Sequence, residues 1–181
     1  MKPRDSIRYL FALSAVLLCG CTEQPPPAEA PENRSPQEMA VVFDIDGTLI
    51  DTGGCGLQSL RSAFTDVFCR TPPARIDTCG RTDRGIARAM FLSESIEDSH
   101  SNWTAFHAAY LRHLEDQLPL RKGRVLPGVP KLIDALRVRN DVEVGLLTGN
   151  TPAGARVKLE HFGIFHHFPF GGFGDKTPER N

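Results

Sequence analysis

Met39-Ala40-Val41-Val42-Phe43-Asp44-Ile45-Asp46-Gly47-Thr48-Leu49-Ile50-Asp51 decides the fold. Its first five residues are an uninterrupted apolar run, the pattern of a strand buried on both faces in a parallel sheet. Turn chemistry follows at once. Asp44 and Asp46 stand two apart where the strand ends, at the C-terminal edge where open α/β sheets bind ligands. Gly47 lets the backbone leave sharply. Two carboxylates so close repel each other unless a cation lies between them or one takes a proton. Both outcomes serve phosphoryl transfer, with one aspartate as nucleophile, the other as proton shuttle and Mg²⁺ neutralising the charge. An aspartate-rich turn capping a strand is the bland alternative, and it would predict no further match along the chain.

Asp141-Val142-Glu143-Val144-Gly145-Leu146-Leu147 is a second strand-like run. It ends in Thr148-Gly149-Asn150, and Thr151-Pro152 opens a helix. A hydroxyl at a strand end, beside the backbone amides of a turn, is placed to bind a phosphate oxygen. The following helix carries Ala155, Lys158, Leu159 and Phe162, with Gly163 as its C-cap. Phe168-Pro169-Phe170 then reads as a short third strand.

Together these stretches resemble the haloacid dehalogenase superfamily. Asp44-Ile45-Asp46-Gly47-Thr48-Leu49 matches its first motif and the Thr148 turn its second. The resemblance implies a Rossmann-like α/β core, a three-layer parallel sheet with helices on both faces. It implies that Asp44 attacks phosphorus to form an aspartyl-phosphate, and that Asp46 protonates the leaving alcohol and then activates water. The Asp44 carboxylate and Asp46 carbonyl would hold Mg²⁺. Gly47, Thr48, Gly149 and Asn150 would surround the phosphoryl group, with Thr148 hydrogen-bonded to it. Asp46 also favours phosphoesters over carbon–halogen bonds, because true dehalogenases of the superfamily lack it. The third motif is a cation, and Lys158 and Arg180 compete for it. The resemblance favours Arg180, since relatives with a stretch like Gly171-Gly172-Phe173-Gly174-Asp175 commonly carry an arginine after it in the lysine's place.

Residues 52–124 lie between the two anchors and read as helical. Leu57, Leu60, Phe64, Val67 and Phe68 form one stripe, and Trp103, Phe106, Tyr110, Leu114 and Leu118 another. Asp83–Leu92 is a third short helix between them. An insert here resembles the superfamily's α-helical cap, over a core of residues 40–51 and 125–181. The aromatic stripe reads as the cap's own core. In phosphatases of the phosphoglycolate type, the stretch resembling Gly80-Arg81-Thr82-Asp83 faces the active site. Arg81 is then either a fork for a substrate carboxylate or phosphate, or a solvated residue before an N-cap at Thr82 or Asp83. The histidines show no ligand spacing: His107 and His113 read as helix surface, and His166-His167 as loop.

The N-terminus reads as an address. Lys2, Arg4 and Arg8 precede the uncharged run Tyr9–Leu18, which is too short to span a bilayer. Leu18-Cys19-Gly20-Cys21 resembles a bacterial lipobox, implying a signal over residues 1–20, cleavage before Cys21 and lipidation of its thiol. A plain secretory signal, or a misassigned start ahead of a cytoplasmic protein, is the alternative. Residues 21–39 carry Pro25, Pro26, Pro27, Pro31 and Pro36, a stiff polar tether that cannot bury a core. The expected location is the periplasmic side of a membrane, on a lipid anchor. Cys55, Cys69 and Cys79 match no zinc spacing; a Cys69–Cys79 disulfide and free thiols are equally expected.

The chain has 181 residues, 21 Lys+Arg against 22 Asp+Glu, and a net charge of −1, which leaves no footprint for nucleic acid. At 40% hydrophobic and 24% charged it is a globular composition. The resemblance also has an edge. The superfamily's fourth motif, one or two aspartates completing the Mg²⁺ shell, is not matched, since Asp175 follows the third strand directly. The expectation is weaker metal binding and an apolar sheet edge beside the first strand. A partner or second copy would cover that edge. The competing readings are a catalytically impaired relative with a binding or assembly role, and a phosphoglucomutase-like transferase.

Overall fold

The computed structural model describes residues 39–175 and the backbone of Arg8–Tyr9. Cys21, the tether and Arg180 lie outside the described residues. Among those described, no helix is long and apolar enough to cross a membrane.

The sheet is parallel, as the two apolar runs require. It contains β1 (Arg8–Tyr9), β2 (Met39–Phe43), β5 (Val142–Leu147) and β6 (Gly171–Gly172), in the order β1-β2-β5-β6. β2 and β5 pair along their whole apolar lengths, from Met39 opposite Val142 to Phe43 opposite Leu146. Adjacent parallel strands end at the same edge, so the residues after Phe43 and after Leu147 must meet there. The far edge of β2 is only partly covered. Arg8 and Tyr9 pair with Met39 and Ala40, and among the described residues nothing pairs beyond them.

The third strand lies later than the sequence suggests. Phe168 closes a 3₁₀ turn over Phe165–His167, and the ladder forms at Gly171 and Gly172. Pro169 has no N–H to donate, so the chain joins the sheet only where Phe170 O accepts from Leu146 N, at 3.0 Å. The Phe170 ring covers Gly145, where a β-carbon would overlap it. His166 and His167 therefore sit in that 3₁₀ turn and not in an open loop.

Between β2 and β5 the chain builds the insert. It leaves through β3 (Ile50–Asp51) and returns through β4 (Arg124–Val125), which pair antiparallel. Between them are α1 (Cys55–Phe68), α2 (Asp83–Ser93) and α3 (His100–Gln117). α4 (Val129–Arg137) then feeds β5, and α5 (Pro152–His161) follows it. Thr82 caps α2, Ser99 caps α3 and Thr151 caps α5, each by accepting a backbone N–H.

Two apolar clusters result. Leu60, Phe64, Phe91, Phe106, Tyr110 and Leu114 are buried in the insert, with Phe91 and Phe106 edge-to-face at 5.3 Å. Ile45, Leu49, Ile133, Val144, Leu146 and Leu159 are buried around the sheet. α4 faces the sheet through Ile133, while Leu132 is exposed. Cys55, Cys69 and Cys79 are free thiols.

One position in the passage between the clusters has no room for a side chain. At Gly123, a β-carbon would lie 2.7 Å from Phe162 Cζ and 2.8 Å from Asp51 O. Backbone cannot give way there as a flexible side chain could. Gly123→Ala is therefore expected to destabilise the chain by about 1–3 kcal/mol in urea unfolding; an unchanged midpoint would show that the passage has room for a methyl group.

Candidate active site

The common edge of β2 and β5 opens into a cleft of about 500 Å³ roofed by the insert. Asp44, Asp46, Gly149, Asn150, Lys158 and Arg81 all line it. Asp44 directly follows β2, and its Oδ1 accepts from the Ile45 N–H at 2.9 Å. Gly47 turns the chain back at a φ of 75°, so that its N–H donates to Ile50 O at 2.9 Å. Gly47 and Thr48 are exposed in this turn and are not among the cleft's lining residues, and their N–H groups are spent on Ile50 O and Ile45 O.

Lys158 ties the edge together. It projects from α5 and is 3% exposed. Its ammonium donates to Asp46 Oδ2 at 2.7 Å and to Asn150 Oδ1 at 2.6 Å. A lysine only donates, so the oxygen of the Asn150 amide must face it. The Asn150 nitrogen then points the other way, to Asp46 Oδ2 at 2.8 Å and Thr148 Oγ1 at 2.9 Å. Thr148 is buried behind this amide and reaches the cleft through it.

The charges respond accordingly. Desolvation pushes the Asp46 carboxyl up, but the charge and hydrogen bond of Lys158, with the bond from Asn150, outweigh it and hold Asp46 below its ordinary range. Its side chain is still 46% exposed, because the cleft side is open. Arg81 is also 46% exposed, and its guanidinium pairs with Asp77 at 3.4 Å.

Two residues joined to this site were not legible as such. Asp83 is buried at the start of α2, and its Oδ2 accepts from Thr151 N at 2.9 Å. Burial raises its carboxyl to about 6, against opposing contributions from Lys158 and the Thr151 amide. His107, read from sequence as surface, is half-buried, with Nε2 2.9 Å from Thr151 Oγ1 and its ring stacked on Trp103. His113 does stand on an exposed part of α3, paired with Asp66 at 2.8 Å. A shallow depression of about 370 Å³ beside that pair carries none of the cleft's chemistry.

A family model for haloacid dehalogenase-like hydrolases matches residues 38–179. The chain belongs to that hydrolase family. Among curated relatives, the tyrosine-protein kinase PtkA of Mycobacterium tuberculosis (strain ATCC 25618 / H37Rv) is 31% identical over 136 residues, covering 74% of this chain and 43% of that protein. PtkA of Mycobacterium bovis matches to the same extent. This chain thus spans less than half the length of those relatives. Among solved structures, a predicted phosphoglycolate phosphatase from Haemophilus somnus 129PT aligns with a TM-score of 0.56 and 22% identity, over 80% of this chain and 66% of that one. CbbY from Rhodobacter sphaeroides, solved with phosphate, aligns at 0.59 and 18%, over 78% and 65%. At such identities the likeness is one of fold.

Asp83 gives the chain a pH signature. Folded, the carboxyl keeps its proton up to about pH 6; unfolded, it releases it near 3.8. The folded state therefore binds more protons in that window, and stability falls as pH rises through it. Asp83→Asn keeps an acceptor for Thr151 and removes the charge. The melting temperature of the variant minus that of the wild type is expected to climb from about pH 4 to about pH 6 and then level off. A difference independent of pH would contradict this.

Proposed function

We propose that the chain is a phosphomonoester hydrolase working through an aspartyl-phosphate on Asp44. The observation that carries this reading is the meeting of Asp44 and Asp46 with Asn150 and Lys158 in one cleft. Two of the three Lys158 N–H groups go to Asp46 and Asn150, and the third is the donor for a phosphoryl oxygen beside a carboxylate placed to attack. An Asp44 oxygen bonds to phosphorus as the ester P–O bond breaks, and Asp46 gives its proton to the leaving oxygen. Asp46 then takes a proton from water, whose oxygen displaces Asp44 and frees inorganic phosphate. At rest Lys158 keeps Asp46 ionised. A bound phosphoryl dianion draws on the same ammonium and adds negative charge, which raises the Asp46 carboxyl toward the protonated form that the first step needs.

Mg²⁺ fits the donors at this edge. Among the described residues no group of three metal-ligating side chains gathers. Mg²⁺ commonly makes do with one or two carboxylates, substrate phosphate and waters. The Asp44 carboxylate and Asp46 carbonyl would hold it, and it would offset the negative charge of phosphate and carboxylates.

A cleft of this size suits a small substrate. Arg81 at its rim favours one with a second anionic group, a phosphorylated acid of the phosphoglycolate kind or a sugar phosphate. Arg180 is the other cation that can serve the phosphoryl group. The leader and Cys21 support a lipid-anchored site outside the cytoplasm; cleavage before Cys21 would take Arg8–Tyr9 with it and open the β2 edge further, for a partner or second copy to cover. The identity with PtkA favours a second reading, transfer of the phosphoryl group to an acceptor hydroxyl instead of water.

Turnover of p-nitrophenyl phosphate with Mg²⁺ tests the proposal. Asp44→Asn is expected to abolish it, and Lys158→Met to lower kcat/KM by about a hundredfold or more. Equal rates in wild type and Asp44→Asn would refute it. Phosphoryl transfer to an added alcohol exceeding hydrolysis would select the second reading.

A further inference from the structure

The insert does not merely lie over the cleft; it is clasped to the turn that forms it. Asp83 N donates to Gly149 O at 2.8 Å, and Asp83 Oδ2 accepts from Thr151 N at 2.9 Å. One residue of α2 thereby brackets the Gly149–Thr151 turn with two bonds of opposite sense. From α3, His107 Nε2 meets Thr151 Oγ1 at 2.9 Å. That same hydroxyl accepts from Gly154 N at 3.1 Å, as the N-cap of α5.

Glycines make the seat. A β-carbon on Gly149 would overlap the Arg81 carbonyl. One on Gly174 would lie 2.6 Å from Thr82 Cβ, and one on Gly154 3.3 Å from Asp83 Oδ2. Three glycines of the core thus leave just enough space for residues 81–83 to press against the turn. Gly174 N also donates to Asn150 O at 2.9 Å, closing the turn from its other side.

We propose that Asp83 is a positioning residue: through Thr151 it latches the cap onto the phosphoryl-binding turn and so fixes Arg81 over the cleft. The proposal rests on the phosphohydrolase reading of that cleft. Its physical content is a shared anchor. Thr151 starts the helix that carries Lys158, two residues away Gly149 packs on Arg81, and Asn150 between them holds Lys158 and Asp46. With the latch made, the substrate-facing arginine and the phosphoryl donors form one rigid unit. With it broken, the packing of α3 on α5 still holds the insert to the core, but the segment carrying Arg81 loses its seat on the turn, and the rest of the site keeps its own contacts.

The latch predicts a selective defect. For the full chain, kcat and KM are measured with p-nitrophenyl phosphate and with 2-phosphoglycolate, which adds a carboxylate. Asp83→Ala is expected to lower kcat/KM for 2-phosphoglycolate by about tenfold to a hundredfold, well beyond its loss on p-nitrophenyl phosphate. Asp83→Asn, which keeps the acceptor, stays within about threefold of wild type. His107→Ala, which frees the other side of Thr151, shifts the substrate ratio in the same direction by a smaller factor and serves where Asp83→Ala does not fold. A purely structural Asp83 would lower the melting temperature and leave the ratio of the two substrates untouched in every variant, and that result overturns the proposal.

If the wild type hydrolyses neither substrate, the phosphohydrolase reading fails, and the latch is decided without turnover. Amide exchange at Thr151 and emission of Trp103, the chain's only tryptophan and stacked on His107, then report on it. Asp83→Ala should speed the exchange and shift the emission. Wild-type values for both would overturn the latch.

Discussion

Two aspartate side chains at the end of one strand need a cation, and in this chain Lys158 answers that need. Its ammonium is almost fully buried, a position that a lone charge could not hold. Asp46 makes it tolerable, and Asn150 fills a second donor. The consequence runs both ways: Lys158 keeps Asp46 ionised, and Asp46 keeps Lys158 in the site. Because Asn150 donates to Asp46 and to Thr148, the ends of β2 and β5 are held to each other by side chains as well as by the ladder.

That arrangement depends on parallel pairing. Residues far apart in the chain arrive at one edge only because β2 and β5 run the same way and end in register. The insert exploits the same edge. Its exit and entry are the two short strands β3 and β4, so a body of three helices hangs from a narrow antiparallel pair. A narrow attachment needs further contacts to fix orientation: α3 packs on α5, and the segment from Arg81 to Asp83 bonds to the Gly149–Thr151 turn.

The sequence carries the outline of this account well. Met39–Phe43 and Val142–Leu147 are legible as buried strands because unbroken apolar runs admit few other uses, and turn residues bound them. The stripes through Phe64, Phe106 and Leu114 are legible because helical period survives any loop geometry. The third strand misleads because Phe168 and Phe170 have the apolar look of a strand, while the ladder falls on two glycines with no hydrophobic signal. Lys158 is legible as a candidate, but its helix alone does not say that it faces Asp46. His107 and Asp83 are lost to sequence for a simpler reason. Their partner Thr151 lies 44 and 68 residues away, and no local pattern encodes such a meeting. The Gly-Arg-Thr-Asp stretch shows a helix start, and Thr82 is that cap; the aspartate beside it is turned to the core.

If this edge presents Asp44 to phosphorus, Asp44 carries the phosphoryl group during turnover. Acid quenching during turnover of a phosphomonoester, followed by borohydride reduction and peptide mass analysis, tests it directly. A phosphorylated aspartate is reduced to homoserine, and homoserine is expected at position 44 only when substrate is present. Homoserine at another position, or none while phosphate is being released, would contradict it.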